Sequence, residues 1–506
     1  MSVSEIRQAV VIGGGLAGLA AAEALAIPES SAPGAEALPP CEVTLIEPSG
    51  RYGGVLETVR RDGWLVERSA DSFLAARPEA IDLANRLGLD RELIGVEPSA
   101  RRALVLHRGR PLPVPTGFRL LAPGRLSGIL STPLLTPWGK FRVLAERWVP
   151  ARARDVTDES VEHFGVRRLG REAFDRLVQP LAAGIWTADP ARLSMAAACP
   201  EFFAMELGAG SLWAGERKRL AAASGAALAS GARYGQFLTL ASGMETLPRR
   251  LAERLVDRGV RFVRAAATTV APLPGGRWRI ALGSPARGTG FPTAGSAAVP
   301  TSFPAVIEAD AVVVAVPSAA AARLVDGCDR GLASELGAIE YAGAGIVSLG
   351  FSRSDVARPL DAAGLVVPRR EGRRILAVSF SSQKFPGRAP EGGILMRTFV
   401  GGALDPEATA LDDAALVRLV RAELHGLLGV RGEPLITQVD RWHDAMPQYH
   451  LGHADRVARI AALVAAHHGL GIAGAAYEGV GIPQVIASGR KAAVAAMRGT
   501  GLATRP

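Results

Sequence analysis

The 506-residue sequence predicts an α/β protein: a discontinuous Rossmann-like unit, an α+β part with an antiparallel sheet, and an inserted, mainly helical part. Three observations predict it. A glycine-rich turn lies between an apolar strand and an Ala/Leu helix near the N-terminus. A second glycine-rich strand-to-helix turn stands close to the C-terminus. Between them, short apolar strands cluster in one stretch and helical spacing dominates another.

The first strand is expected over 9–12 and its helix over 16–26, with the next strand over 43–47. That is a βαβ unit, and its connection is lengthened by the Pro/Ser/Gly/Ala-rich stretch 27–40. Ala80, Ile81, Ala84 and Leu87 mark a helix over 77–87. Residues 111–137 are crowded with proline and glycine. Helical spacing resumes at 158, with Asp158 and Glu159 expected in a first turn. A further helix is expected from Arg171 and is expected to end or kink at Pro180.

A helix over 247–258 and strands over 261–264, 277–282 and 311–316 follow. Residues 283–305 read as a low-complexity insertion. Runs at 346–351, 365–367, 375–379 and 394–400 read as the antiparallel sheet. A helix over 414–428, a strand over 470–473 and a helix over 482–497 close the chain. The expected division is 1–95, 216–320 and 441–506 for the dinucleotide unit, 96–215 for the helical part and 321–440 for the substrate part.

Composition narrows the function. Hydrophobic residues make up 48% and charged residues 21%, which excludes a disordered chain. Aromatic residues are only 5%, so any apolar cavity must be lined by aliphatic side chains. The net charge of +9 comes from scattered arginines, with no basic tail and no nucleic-acid motif, so no nucleic-acid partner is expected. Three cysteines without a CxxC argue for a reducing compartment, taken as the cytoplasm. No apolar run reaches the length of a membrane span, so any membrane contact is peripheral, at the inner face of the cell membrane. His443, His450 and His453 lie close together, but no carboxylate or cysteine completes a ligand set, and no metal is expected.

Gly13-Gly14-Gly15-Leu16-Ala17-Gly18 satisfies GxGxxG in the right context. Gly13 permits the tight turn, Gly15 lets a pyrophosphate approach, and Gly18 lets the helix pack on the strand. Glu47, at the end of the second strand, is placed for ribose hydroxyls. Arg51-Tyr52-Gly53-Gly54 resembles the second fingerprint of the flavin amine-oxidase superfamily, which points to FAD rather than NAD. The segment Gly471-Ile472-Ala473-Gly474, followed by Tyr477-Glu478-Gly479-Val480-Gly481-Ile482, presents another helix N-terminus to the isoalloxazine end.

Further along, the chain resembles the oxygen-dependent protoporphyrinogen/coproporphyrinogen oxidases. The resemblance is carried by Asp71-Ser72-Phe73-Leu74, 112–117, 164–170, Pro180-Leu181-Ala182-Ala183-Gly184-Ile185, Gly243-Met244-Glu245-Thr246-Leu247-Pro248, Lys384-Phe385-Pro386-Gly387-Arg388, Pro447-Gln448-Tyr449 with Gly452-His453, and 475–480. It implies six-electron oxidation of a porphyrinogen, with FAD as hydride acceptor through the flavin N5 and dioxygen as final acceptor, giving hydrogen peroxide. It implies no protein acid or base. It implies that Arg102, or else Arg101, pairs with a propionate, and that Gly184, Val366, Ser379 and Phe399 flank the substrate. It extends the FAD contacts to Val55, Ser69, Ala70, Asp71, Ser72, Val270, Ala475, Val480, Gly481 and Ile482. Ser69-Ala70 stands where the family often has Gly-Pro, and Gln484 where an acidic residue is common. An oxidase of the same fold acting on an amine or a polyene, or a non-catalytic FAD-binding protein, remains the alternative. The choice between the two porphyrinogens and the existence of a homodimer are left open.

Overall fold

The computed structural model describes residues 7–27, 41–222, 237–285 and 304–498. Most of the two stretches read as insertions, 27–40 and 283–305, therefore lies outside the described residues.

A five-stranded parallel sheet organises the molecule. Its order is Arg261–Val263, Cys41–Ile46, Arg7–Ile12, Ala311–Val314, Leu470–Ile472. The strands come from the start, the middle and the end of the chain. The central strands are apolar and buried over Ala9–Ile12 and Ala311–Val314 because helices cover one face and further structure covers the other. Helix Leu16–Ala26 is buried at nearly every position. It packs on the sheet side by side with the closing helix Ile482–Arg498, and a Cβ on Gly489 would meet the Ala17 carbonyl oxygen at 2.1 Å. Each leucine buried there contributes roughly 1.5–3 kcal/mol.

A seven-stranded sheet forms the second layer system, in the order Ile436–Pro447, Tyr341–Ser352, Gly393–Gly401, Ile375–Phe380, Gly364–Val366, Ala103–His107, Arg110–Pro113. All its pairings are antiparallel except Gly364–Val366 with Ala103–His107, which is parallel. Residues 103–113 therefore belong to this sheet, not to the helical part in which they were expected. The long edge strand Ile436–Pro447 runs through the boundary expected at 440/441. Helix Asp413–Leu428 covers one face through Leu416, Val420, Leu424 and Leu427.

The helical part departs from expectation at two places. Asp158 and Glu159 do not form a first turn. Ser160 caps helix Val161–Leu169 by accepting from His163 N, and Asp158 instead accepts from Ser194 Oγ at 2.9 Å and Gly452 N at 3.1 Å. Pro180 does not end its helix, which continues to Trp186. The turn before it, Phe174–Val178, is a π-helix, and this wider turn accommodates the proline ring.

Candidate flavin and substrate site

The three glycines of the N-terminal turn differ in what surrounds them. Gly13 has φ +108°, and a Cβ there would meet the Ala315 carbonyl oxygen at 2.4 Å. A Cβ on Gly18 would stand 1.9 Å from the Gly13 oxygen. Gly15 has nothing closer than Gly54 Cα, 3.9 Å away. The turn is thus closed behind Gly13 and Gly18 and open in front of Gly15, at the N-terminus of helix Leu16–Ala26. A pyrophosphate fits there, against backbone N–H groups that no side chain caps.

Glu47 braces the turn. Its carboxylate accepts from Gly14 N at 2.8 Å and from Ser49 N and Oγ at 2.9 and 2.7 Å. Arg51, expected to continue along the cofactor, turns onto its own loop instead. It donates to the Leu56 carbonyl at 3.1 Å and to that of Gly54. Gly53 N donates to Gly14 O at 2.8 Å, which seats Gly53 and Gly54 beside Gly15. Val55 is exposed next to them, and Ser69 Oγ donates to its carbonyl. A continuous path therefore runs from the glycine turn through 53–55 to 69–72.

Asp71, on that path, sits partly buried in a charged cluster, its side chain 14% exposed. Its carboxylate lies 3.0 Å from Lys384 Nζ and 3.3 Å from Arg397 Nη1, and accepts from Ser72 Oγ at 2.7 Å. Burial alone would raise its pKa, but the two cations and Ser72 reverse that and hold it well below the usual carboxylate range. Ser379 Oγ reaches the same carboxylate at 3.5 Å. The segment expected at the flavin and a residue expected at the substrate thus meet at one carboxylate.

The seven-stranded sheet explains where that substrate residue points. Val366 is in register with Ala377, Ala377 with Phe399, and Phe399 with Ile346. One row over, Gly364, Ser379 and Arg397 share the same face. Their neighbours Leu365, Val378 and Thr398 are fully buried on the opposite face. Val366, Ala377, Ser379 and Phe399 are only half-buried, so this face fronts open space. Helix Gln179–Trp186 lies across it: Gly184 is exposed, and a Cβ on it would stand 3.7 Å from Val366 Cγ1. The result is a largely aliphatic platform with one aromatic side chain.

Arg102 and Arg101 flank the start of this platform, since Ala363 N donates to Arg102 O. Arg102 is half exposed and pairs with Asp361, while Arg101 Nε donates to the Val96 carbonyl at 3.0 Å. Neither is preset toward the platform by a contact.

The C-terminal turn is held from the side. Tyr449 donates to the Ala475 carbonyl, and the His453 ring, stacked on Tyr449 at 4.2 Å, contacts the Ala476 carbonyl at 2.9 Å. Burial lowers the His453 pKa to about 4, so the ring is neutral and its Nε2 donates. Gly479, φ +138°, and Gly481 face the Gln484 side chain, which fills the space a Cβ would need. Val480, like Val366, packs on the helical core, and Ile482 starts the closing helix. Val270 is buried in the core between two sheets.

Sequence reasoning assigned no role to Lys384, Arg397 or Tyr449. An arginine inside the otherwise apolar run 394–400 was the available signal, because a buried cation requires a partner.

The comparisons agree with this geometry. Residues 16–497 match the family described as flavin containing amine oxidoreductase. The chain is 32% identical over 495 residues to coproporphyrinogen III oxidase of Bacillus subtilis (strain 168), covering 96% of this chain and 97% of the relative. It is 32% identical over 510 residues to coproporphyrinogen III oxidase of Propionibacterium freudenreichii subsp. freudenreichii, covering 96% and 89%. A solved structure of a candidate protoporphyrinogen oxidase from Exiguobacterium sp. 255-15 matches with a TM-score of 0.77 at 28% identity, over 97% of this chain and 99% of that one. The cofactor is FAD, and the open cradle at Gly15 suits its pyrophosphate. The chain belongs to the flavin-containing amine oxidoreductases and, within them, to the protoporphyrinogen/coproporphyrinogen oxidase family.

Proposed function

We propose that this chain oxidises a porphyrinogen to the porphyrin, a six-electron oxidation, and that coproporphyrinogen III is the preferred substrate. The observation that carries the reading is the half-buried platform Val366–Ala377–Phe399, which opens beside the path leading from Gly15 to Asp71. FAD held along Gly15, Gly54 and Val55 would supply a two-electron acceptor, used in three successive two-electron oxidations, with three dioxygen molecules as final acceptors giving three of hydrogen peroxide. The platform supplies an apolar surface for the tetrapyrrole face and excludes water from it. Gly184 leaves room for the macrocycle. Cations stand at both ends of strand Gly364–Val366, Arg101 and Arg102 at one and Arg369 and Arg370 past the other, which favours a substrate with carboxylates on opposite edges. Two of the relatives above are named for coproporphyrinogen III, which supports the same choice. In this reading the parallel-sheet unit binds FAD, the seven-stranded sheet binds substrate, and the helical part covers it.

The test is anaerobic. Coproporphyrinogen III should bleach the flavin of the purified holoenzyme, with kcat/KM exceeding that for protoporphyrinogen IX. Flavin absorbance that no porphyrinogen bleaches excludes the function, and a higher kcat/KM for protoporphyrinogen IX reverses the preference.

A second observation favours peripheral membrane contact. Leu126, Leu130, Trp138, Phe141 and Trp148 are all more than half exposed on three short successive helices, with Lys140 and Arg147 among them. Such a face suits the interface of an anionic bilayer. No helix among the described residues is long and apolar enough to cross a membrane. Phosphatidylglycerol vesicles should co-sediment the protein and lose it on Trp138→Ser with Trp148→Ser; equal partition of both proteins refutes the contact.

A further inference from the structure

The charged cluster around Asp71 contacts both the flavin path and the substrate platform. Its outer members pair off. Arg388 stands 3.9 Å from Glu67, Arg68 binds Glu57 and Asp440, and Arg51 stands 3.7 Å from Glu57. Set against Asp71, Glu67, Asp440 and Glu57, the cations Lys384, Arg397, Arg388, Arg68 and Arg51 leave one positive charge in surplus.

That charge is fixed. The Arg397 side chain is 1% exposed and donates to the Ser69 carbonyl, so it is tied to the loop that faces the cofactor path. The Lys384 side chain is 10% exposed, donates to Ser72 Oγ at 3.0 Å, and sits 4.9 and 5.3 Å from the Phe385 and Phe237 ring centres. Arg397 Nε is buried with no acceptor among the described residues. Fixed charges in such a weakly polarisable setting act more strongly than in water. Protein charges close to a redox cofactor tune its electronics.

We propose that Lys384 and Asp71 set the reduction potential of the flavin: the surplus ammonium favours the reduced, more negative state, and the Asp71 carboxylate limits that bias. Both act as positioning residues through the electrostatic field. The proposal rests on FAD lying along Gly15, Gly54, Val55 and Ser69. A purely structural latch joining 69–72 to the sheet would alter stability and FAD retention without moving the potential in a charge-dependent direction.

The experiment is the flavin midpoint potential of the FAD-loaded protein, poised against dyes with a chemical reductant. Lys384→Met should lower the two-electron reduction equilibrium about tenfold, which is about 30 mV. Lys384→Arg should keep the wild-type potential. Asp71→Asn should raise it by a comparable amount. Shifts of the same sign in Lys384→Met and Asp71→Asn, or no shift in either, overturn the proposal. If Lys384→Met does not retain FAD, Lys384→Gln and Asp71→Asn give the same pair of opposed readings. Because no porphyrinogen enters this measurement, opposed shifts in a protein that no porphyrinogen reduces would refute the proposed function and leave this inference standing.

Discussion

Gly15 and Gly18 stand three residues apart, and the structure gives each a different reason to be glycine. A methyl at Gly18 would fall 1.9 Å from the Gly13 oxygen, so the helix would have to leave the strand. A methyl at Gly15 has 3.9 Å of clearance from the protein and collides only with what binds there. Gly18→Ala should therefore lower the melting temperature of the apoprotein by several degrees, corresponding to a clash costing about 1–3 kcal/mol. Gly15→Ala should leave the apoprotein's melting temperature unchanged and abolish FAD retention. Thermal melts with and without added FAD distinguish them, and equal apoprotein destabilisation by both would contradict this assignment. Arg51 teaches the opposite lesson. Its place in a fingerprint suggested a cofactor contact, yet its guanidinium is occupied by the carbonyls of its own loop.

At the scale of elements, helix Gln179–Trp186 packs across strand Gly364–Val366, with Gly184 exposed beside Val366. Glycine within a helix costs about 1 kcal/mol relative to alanine. The fold offers no compensating need at Gly184, because a Cβ would make only an ordinary contact with Val366. In the proposed function that space is left for the substrate. Gly184→Leu should leave the flavin spectrum and the melting temperature intact while raising KM for the porphyrinogen at least tenfold. An unchanged KM removes Gly184 from the substrate surface. Periodicity found most of these elements within a few residues. Of the end or kink expected at Pro180 the end does not occur, since the helix runs on to Trp186 past a π turn, and periodicity missed the strands Ala103–His107 and Arg110–Pro113. A short strand among prolines carries too few residues to show a period, and its partner, Gly364–Val366, lies some 260 residues away.

At the scale of the molecule, the two ends of the chain and its middle are held together around the cofactor path. His453 is one of the fastenings, joining helix His453–Ala465 to the C-terminal glycine turn. Burial depresses its pKa to about 4, from an ordinary value near 6.5. The unfolded chain therefore binds a proton at a pH where the folded protein does not. Its contribution to stability is complete above about pH 6.5 and is lost progressively as the pH falls toward 4. Over that range His453→Gln should flatten the fall in melting temperature relative to wild type. Parallel curves for the two proteins would show that His453 does not carry this dependence.

The sequence by itself determined the cofactor unit, because the requirements of a strand–turn–helix phosphate cradle are local. Gly13, Gly15, Gly18 and Glu47 lie within one βαβ unit; backbone clearance dictates Gly13 and Gly18, and the approach of a phosphate group calls for Gly15. The sequence also indicated the family, through motifs spread along nearly the whole chain. Only the tertiary structure decided which residues share a face and which charges are satisfied. Register across three strands lined up Val366, Ala377 and Phe399, and packing across more than 300 residues brought Lys384 and Arg397 onto Asp71. Strand register and the desolvation of charges depend on contacts between distant segments, and no window along the chain contains them.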